Sequence, residues 1–445
     1  MNTAELRHIL RIAVPVIFAQ VGQIMLGVVD TFMLKEIGTI PQGGVGAGNS
    51  FFWTTCIVGI GILYSLDTLI SQAKGRGDSH ACLEYLVQGL WLATIISAIM
   101  VPFVFWVMHY YDLVGTTPDL LPYIKEYLSI TAWSCPFIFL YIVFARYWQA
   151  LESVIPLAVL MLAANVFHYY ANRLCMHGYD GWFTLPAMGA RGVAIATLGT
   201  RVMLLVAVVA FTLWKFRGRF GEWRSVSWRP HGLHLRRLLA LGLPSGGQVA
   251  LEVYAFSGTT ALATRLGAQA AASHQIVLTM ASFAFMFPMG LSAAAAIRVG
   301  TLLGQGEPQR AKRAGSIAIW LSVLVMSVSS LAMFGFPRIL LGWFTQDAQV
   351  LALASQVLIF AALFQIFDGV QVTTTGALRG LGDTKTALFA NFIGYYPIGL
   401  AAGVFLCFGR NFGLVGLWMG LALGLWVVAS LLTWTWIRRR PLLIT

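Results

Sequence analysis

Apolar residues run along this chain in twelve long blocks broken by short polar stretches. They lie at roughly 10–35, 48–72, 84–108, 124–147, 154–176, 189–214, 238–263, 271–303, 315–336, 350–376, 385–408 and 413–436. Each approaches or exceeds the ~18 residues that mark a membrane-crossing helix. Lipid offers no partner to an unpaired backbone group, so the blocks predict helices. Basic residues gather in alternate loops. One set holds Lys74 and Arg76, Arg146, the run Lys215, Arg217, Arg219, Arg224, Arg229, Arg236 and Arg237, then Arg310, Lys312 and Arg313, Arg379 and Lys385, and Arg438, Arg439 and Arg440. The opposite set has only Lys35, Lys125, Arg173, Arg191, Arg265, Arg338 and Arg410. That asymmetry predicts both termini in the cytoplasm, and hence an even number of spans.

Composition agrees. The 445 residues are 58% hydrophobic and 10% charged, where a soluble domain is near half apolar and a quarter charged. The expectation is a polytopic inner-membrane protein surrounded by the lipid bilayer. The first block is too long for a cleavable signal peptide and lacks a small-residue cleavage site. The net charge of +12 follows from the basic loops rather than from nucleic-acid binding. Cys56, Cys82, Cys135, Cys175 and Cys407 show no metal or disulfide spacing and read as small hydrophobes.

The chain also repeats itself. Pro15 recurs as Pro244, Gly38 as Gly267, Gly61 as Gly290, and Gly75 and Gly77 as Gly304 and Gly306, all at an offset of 229 residues. Further on, "GARGVAIATLGT" (189–200) echoes "GLVGLWMGLALG" (413–424), and Arg146 and Arg379 occupy corresponding loops. The predicted organisation is an N-terminal lobe (1–214), a cytoplasmic basic linker (215–237) and a C-terminal lobe (238–445). The fold class is an all-α polytopic membrane protein, with twelve transmembrane helices in two pseudo-symmetric six-helix lobes around a central cavity. Six spans per lobe give both the same orientation, which is an architecture of transporters.

Within this apolar background three carboxylates lie well inside spans: Asp30, Glu252 and Asp368. An intramembrane carboxylate costs roughly 2.5–3.5 kcal/mol on insertion scales, so each is a candidate to bind a cation or a proton. Asp30 follows Gln23 by two helical turns; the bland alternative is an interfacial Asp reaching the headgroups. Glu252 shares a face with Phe256 and Thr259, and a structural pair with a nearby Arg is its alternative. Asp368 is flanked by Gln365 and Gln371, and a purely structural role stays open for it. On the fifth span Asn165, His168 and Asn172 fall on one face. Their amide oxygens suit a monovalent cation, and a histidine titrates near neutral pH; helix–helix hydrogen bonding is the alternative. Gln275 joins Gln23, Phe256, Thr259, Gln365 and Gln371 as a candidate substrate-cavity residue.

Enzymatic readings fare poorly. "YD" at 179–180 and "GLGD" at 380–383 resemble an intramembrane aspartyl protease signature, but the predicted topology sets the two carboxylates on opposite sides of the membrane. No P-loop, HExxH or GxSxG occurs. The expectation is a protein that is no enzyme, needs no cofactor, and draws energy from an ion gradient.

The segments "AVPVIFAQVGQIMLGVVDTFMLKEIG", "SLDTLISQAKGRGD", "LGLPSGGQVALEVYAF", "AASHQIVLTMASFAFMFPMGLSAAAAIRVGTLLGQGEP" and "GALRGLGDTK" resemble the multidrug and toxic compound extrusion (MATE) family, and most of all its NorM-like branch. The resemblance covers essentially the whole chain. It implies efflux of cationic or amphipathic organic compounds in exchange for Na⁺ or H⁺ by alternating access. Asp30, Glu252 and Asp368 match carboxylates of that family and become the candidate Na⁺ ligands. His168 departs from the pattern, where relatives often carry Asn, and leaves the coupling ion open. A lipid-linked oligosaccharide flippase of the wider superfamily is the alternative; it would need buried Arg or Lys to hold a pyrophosphate. Small organic cations are the expected substrates, with no nucleic acid, and a monomer is expected.

Overall fold

The computed structural model describes residues 3–111, 117–181, 184–217, 223 and 225–439. Arg219, Arg224 and Arg440 of the basic loops lie outside the described residues. The chain is helical almost throughout: α1 (Thr3–Leu34), α2 (Thr39–Leu63), α3 (Ser65–Gly75), α4 (Ser79–Tyr110), α5 (Leu121–Thr131), α6 (Cys135–Ala150), α7 (Ile155–His177), α8 (Ala190–Lys215), α9 (Gly232–Thr264), α10 (Ala268–Gly304), α11 (Pro308–Gly335), α12 (Pro337–Gly342), α13 (Ala348–Gly380), α14 (Lys385–Ile393), α15 (Ala401–Val404) and α16 (Gly413–Arg438). Between α7 and α8, Tyr179–Asp180 pairs antiparallel with Thr184–Leu185.

Eleven helical stretches among the described residues are long and apolar enough to cross a membrane. The twelfth predicted span, 238–263, lies in α9, a 33-residue helix. Ser245, Gly246, Gly247, Gln248 and Glu252 dilute its apolar character, so it is the most polar span of the set. Twelve helices cross the membrane, and the protein is a multi-pass membrane protein.

The helices run past the predicted boundaries, most clearly at α2. The sequence predicts that span from residue 48, because "TIPQGGVGA" reads as a loop. The structure begins it at Thr39. The glycines there answer packing rather than turning: a Cβ on Gly44 would stand 2.5 Å from the Tyr123 Cβ, and one on Gly48 would stand 3.0 Å from the Tyr127 ring.

The chain divides into two compact units. The C-unit comprises Met1–Ile17, Asp67–Gly77 and Ala240–Thr445, and the N-unit comprises Phe18–Leu66 and Asp78–Leu239. In the C-unit, α13 is central and packs on α10, α11 and α16. Contact with α10 is close because Gly376 faces the Ser292 backbone, where an added Cβ would sit 2.2 Å from the carbonyl oxygen. Residues 67–77 belong to this unit for a stated chemical reason. Thr68 donates to the Arg379 carbonyl (2.7 Å), Gln72 donates to the Gly380 carbonyl (3.0 Å), and Asp67 lies 3.9 Å from the Arg379 guanidinium. In the N-unit α7 packs on α8, α4 on α6, and α5 against both α2 and α8.

Backbone geometry carries the repeat that the glycines announce. Gly38 and Gly267 both have positive φ (135° and 103°), as do Gly77 and Gly306 (74° and 76°) and Gly189 and Gly413 (both 55°). Side chains rarely tolerate such φ values, so each pair marks the same helix-entry turn in the two halves.

Candidate functional sites

Each unit contains a buried polar cluster around one or more of the candidate carboxylates. In the N-unit three helices build it. Asp30 comes from α1, His168 and Asn172 from one face of α7 at i and i+4, and Thr197, Thr200 and Arg201 from one face of α8. Asp30, His168, Asn172 and Arg201 are all buried. Asp30 Oδ1 meets His168 Nε2 at 2.8 Å and accepts from the Asn172 amide at 2.6 Å, while Thr197 donates more distantly to Oδ2, at 3.5 Å. The far nitrogen of the ring, His168 Nδ1, is 2.8 Å from Thr200 Oγ1, and that hydroxyl donates to the Ala196 carbonyl at 2.8 Å. The imidazole is thus engaged at both nitrogens.

A cavity of about 30 Å³ opens beside this cluster, bounded by Gln23, Asp30, Asn49, Trp53, His168 and Arg201 among others. That is room for water or a small ion. The Arg201 guanidinium donates to Ser134 and lies over the Phe52 ring (4.2 Å) and the Trp53 ring (5.5 Å). No carboxylate pairs with it among the described residues. Its charge is held by π faces and a hydroxyl, and it projects positive potential into the cavity that Asp30 shares.

The C-unit cluster is built of amides. Glu252 Oε2 accepts from Gln248 (3.0 Å) and Gln371 (3.1 Å), and Tyr395 donates to Gln371 Oε1 at 2.9 Å. Tyr395 sits on a π-helical turn, Gly394–Leu400, which contains Pro397. Proline removes a backbone donor there, and such widened turns recur at functional sites. Asp368, buried in α13, makes no hydrogen bond or ion pair among the described residues. Aromatic rings line this region: Phe256 stands 6.4 Å from Phe364 and 6.2 Å from Tyr395, and Phe364 stands 5.6 Å from Trp418. Nearby, His274 accepts from Trp418 at Nδ1 (3.1 Å) and meets Thr260 at Nε2 (2.9 Å).

The structure brings together Asp30, His168 and Asn172, with Gln23 on the cavity wall, and separately Glu252 with Gln371. Other predicted positions fall elsewhere. The Asn165 amide donates to the Gly22 and Met161 carbonyls and not to Asp30. Thr259 is fully buried and bonds back to the Ala255 carbonyl. Gln275 is exposed, while its neighbour His274 points inward. Gln365 is buried with its amide 3.8 Å from the Met333 sulfur, apart from the Glu252 cluster. Among the described residues no group of three or more His, Cys, Asp or Glu side chains is arranged to hold a metal ion. Sequence reading missed Thr197, Thr200, Arg201 and Gln248. Each had a signal: the first three share a face on an apolar helix, and Gln248 precedes Glu252 by one turn.

Comparison with known proteins adds a common frame. The MatE family model matches residues 15–174 and 244–405, the two halves of the repeat. A probable multidrug resistance protein NorM of Mesorhizobium japonicum is 36% identical, covering 98% of this chain and 94% of the relative. The multidrug resistance protein MdtK of Proteus mirabilis is 31% identical over 98% of this chain and 96% of its own length. Among solved structures, the eukaryotic MATE transporter AtDTX14 superposes with a TM-score of 0.87 at 20% identity, covering 98% of this chain and 96% of that one. An outward-facing multidrug resistance MATE transporter of the MOP superfamily matches with a TM-score of 0.83 at 16% identity, covering 98% and 96%.

Proposed function

The chain belongs to the MatE family, a family of transporters and not of enzymes, and from that premise we propose that it is a proton-coupled exporter of cationic, amphipathic organic compounds. Relatives named as multidrug resistance proteins support the substrate class. The buried Asp30–His168 pair, 2.8 Å apart, carries the choice of ion.

Hydrogen positions around the imidazole favour a proton. With the Thr200 hydroxyl directed to the Ala196 carbonyl, Nδ1 of His168 is the donor to Thr200. Were Nε2 then bare and Asp30 ionised, two lone pairs would face each other at hydrogen-bond distance, which is repulsive. One exchangeable proton between Nε2 and Oδ1 removes that repulsion, with the Asn172 amide, 3.2 Å from Nε2 and 2.6 Å from Oδ1, beside it. A Na⁺ ion at Oδ1 would have to displace the histidine and the Asn172 amide, and would share its cavity with Arg201. Donors and a guanidinium suit a proton site better than a metal site.

The C-unit cluster suits the cargo. Glu252 and Asp368 lack a basic partner among the described residues, and Phe256, Phe364 and Trp418 supply aromatic faces for an organic cation. Exchange follows when proton and drug favour different conformations, because equal affinity for both states shifts nothing. The basic loops support both termini in the cytoplasm of an inner membrane. The flippase alternative needs a basic site for pyrophosphate within the membrane spans. The buried arginine of the N-unit borders a cavity of only about 30 Å³, too small for one. Proteoliposomes with separately imposed gradients test the proposal. Uptake of a fluorescent lipophilic cation should follow a pH gradient and ignore a Na⁺ gradient, and the reverse result would refute the proton assignment.

A further inference from the structure

At the basic end of the C-unit lies a second, larger cavity, of about 490 Å³, lined by Glu5, Arg310, Lys312, Arg313, Ser316 and Ile317. Its charges sort into two groups. Arg298 grips Glu5 through two hydrogen bonds of 2.9 Å, and Arg310 reaches Glu5 at 2.9 Å and Glu307 at 2.6 Å. Two guanidiniums and two carboxylates there neutralise one another. Lys312 donates only to uncharged acceptors, the carbonyls of Ile437 (2.7 Å) and Arg439 (3.1 Å) at the end of α16. Arg313 is exposed and makes no hydrogen bond or ion pair among the described residues. The pocket is left with two positive charges that pair with no carboxylate among the described residues.

The helix that carries this pocket continues as an apolar stripe. Arg313, Ile317, Trp320, Leu324, Val328 and Leu331 recur at spacings of three and four residues, which places them on one face of α11. Trp320 is 70% exposed, Leu324 63% and Leu331 69%. At 1.5 Å per residue Trp320 stands roughly 10 Å along the axis from Arg313, and tryptophans are enriched where headgroups meet hydrocarbon. Basic head and apolar stripe share one helix face.

A ligand that satisfies both features has an anionic head and a hydrocarbon tail. We propose that this pocket binds the headgroup of an anionic phospholipid, with its phosphate between Lys312 and Arg313 and its acyl chains along the Ile317–Leu331 stripe. Basic pockets at the membrane-facing rim of helices hold such headgroups by the same charge complementarity. Free phosphate shares the head chemistry but leaves the stripe unused.

The test uses the full-length protein in mixed micelles offering equal amounts of phosphatidylglycerol and phosphatidylcholine, with retained lipid counted by native mass spectrometry. The wild type should retain phosphatidylglycerol preferentially. Arg313→Gln should weaken that retention about fivefold, the effect of one surface charge, and adding Lys312→Gln should erase the preference. Trp320→Ala should weaken it further while leaving the preference for an anionic head. Equal retention of the two lipids by the wild type, undiminished retention by the double variant, or full displacement by inorganic phosphate would each overturn the proposal. Arg313→Gln breaks no bond within the described protein, so it carries the test alone if the double variant does not fold.

Discussion

The two units hold their buried carboxylates in opposite company. Asp30 in the N-unit touches a histidine ring whose other nitrogen is anchored on a hydroxyl, with an arginine in the same cavity. Glu252 in the C-unit touches only amides, and Asp368 touches no donor at all among the described residues. A carboxylate beside a titratable base can exchange a proton over a short distance. A carboxylate among amides and aromatic rings has no cation of its own beside it, which leaves that place for one brought from outside. The difference argues for two tasks on two halves of one duplicated scaffold. The repeat itself makes the same point: Asp30 corresponds to Thr259 and Glu252 to Gln23, and neither charge is inherited from a common half.

The sharpest way to break this comparison is to neutralise the N-unit carboxylate. Asp30→Asn should reduce pH-gradient-driven efflux by about 100-fold, the upper range of measured coupling between sites, and should make drug binding without a gradient independent of pH. Vesicle efflux and equilibrium dye binding, measured on one preparation, separate the two. Next in size is the C-unit. Glu252→Gln or Asp368→Asn should each weaken binding of an organic cation about tenfold or more, from the ~1.5–3 kcal/mol of a charge-assisted contact, yet leave an uncharged analogue unaffected. Fluorescence titration with the charged and uncharged pair reads that selectivity. The smallest effect is expected at Thr200→Val. It leaves His168 Nδ1 without its oxygen partner and should shift the pH at which efflux is half-maximal, at a cost of ~1 kcal/mol. A pH profile of efflux indistinguishable from wild type would remove Thr200 from the account.

Much of this was legible from the chain, and the failures have physical causes. Hydrophobic runs announce helices because lipid leaves the backbone no other choice, and glycines at matching spacing announced turns that proved to share positive φ. Asp30, Glu252 and Asp368 stood out because charge in an apolar run has a known cost. Partners were harder. Asn165 and His168 are both on α7 and look equivalent in sequence, but only His168 reaches Asp30, while Asn165 turns to the Gly22 carbonyl. Gln275 and His274 are adjacent, and a one-residue step on a helix turns a side chain by about 100°, enough to exchange solvent for core. In sequence Arg201 is one basic residue within a span; only the packing of Phe52, Trp53 and Ser134 around it shows a guanidinium held without a carboxylate among the described residues.

The central claim is that a proton resides between Asp30 and His168 and leaves when the drug binds. It is tested most directly by mixing the purified protein with a lipophilic cation in weakly buffered solution and following a pH indicator, for wild type and His168→Gln. The account predicts that cation binding releases protons from the wild type and none from the variant, in which Asn172 and Arg201 remain beside Asp30 and no base shares a proton with it. Equal proton release from both proteins, at equal drug occupancy, would contradict it.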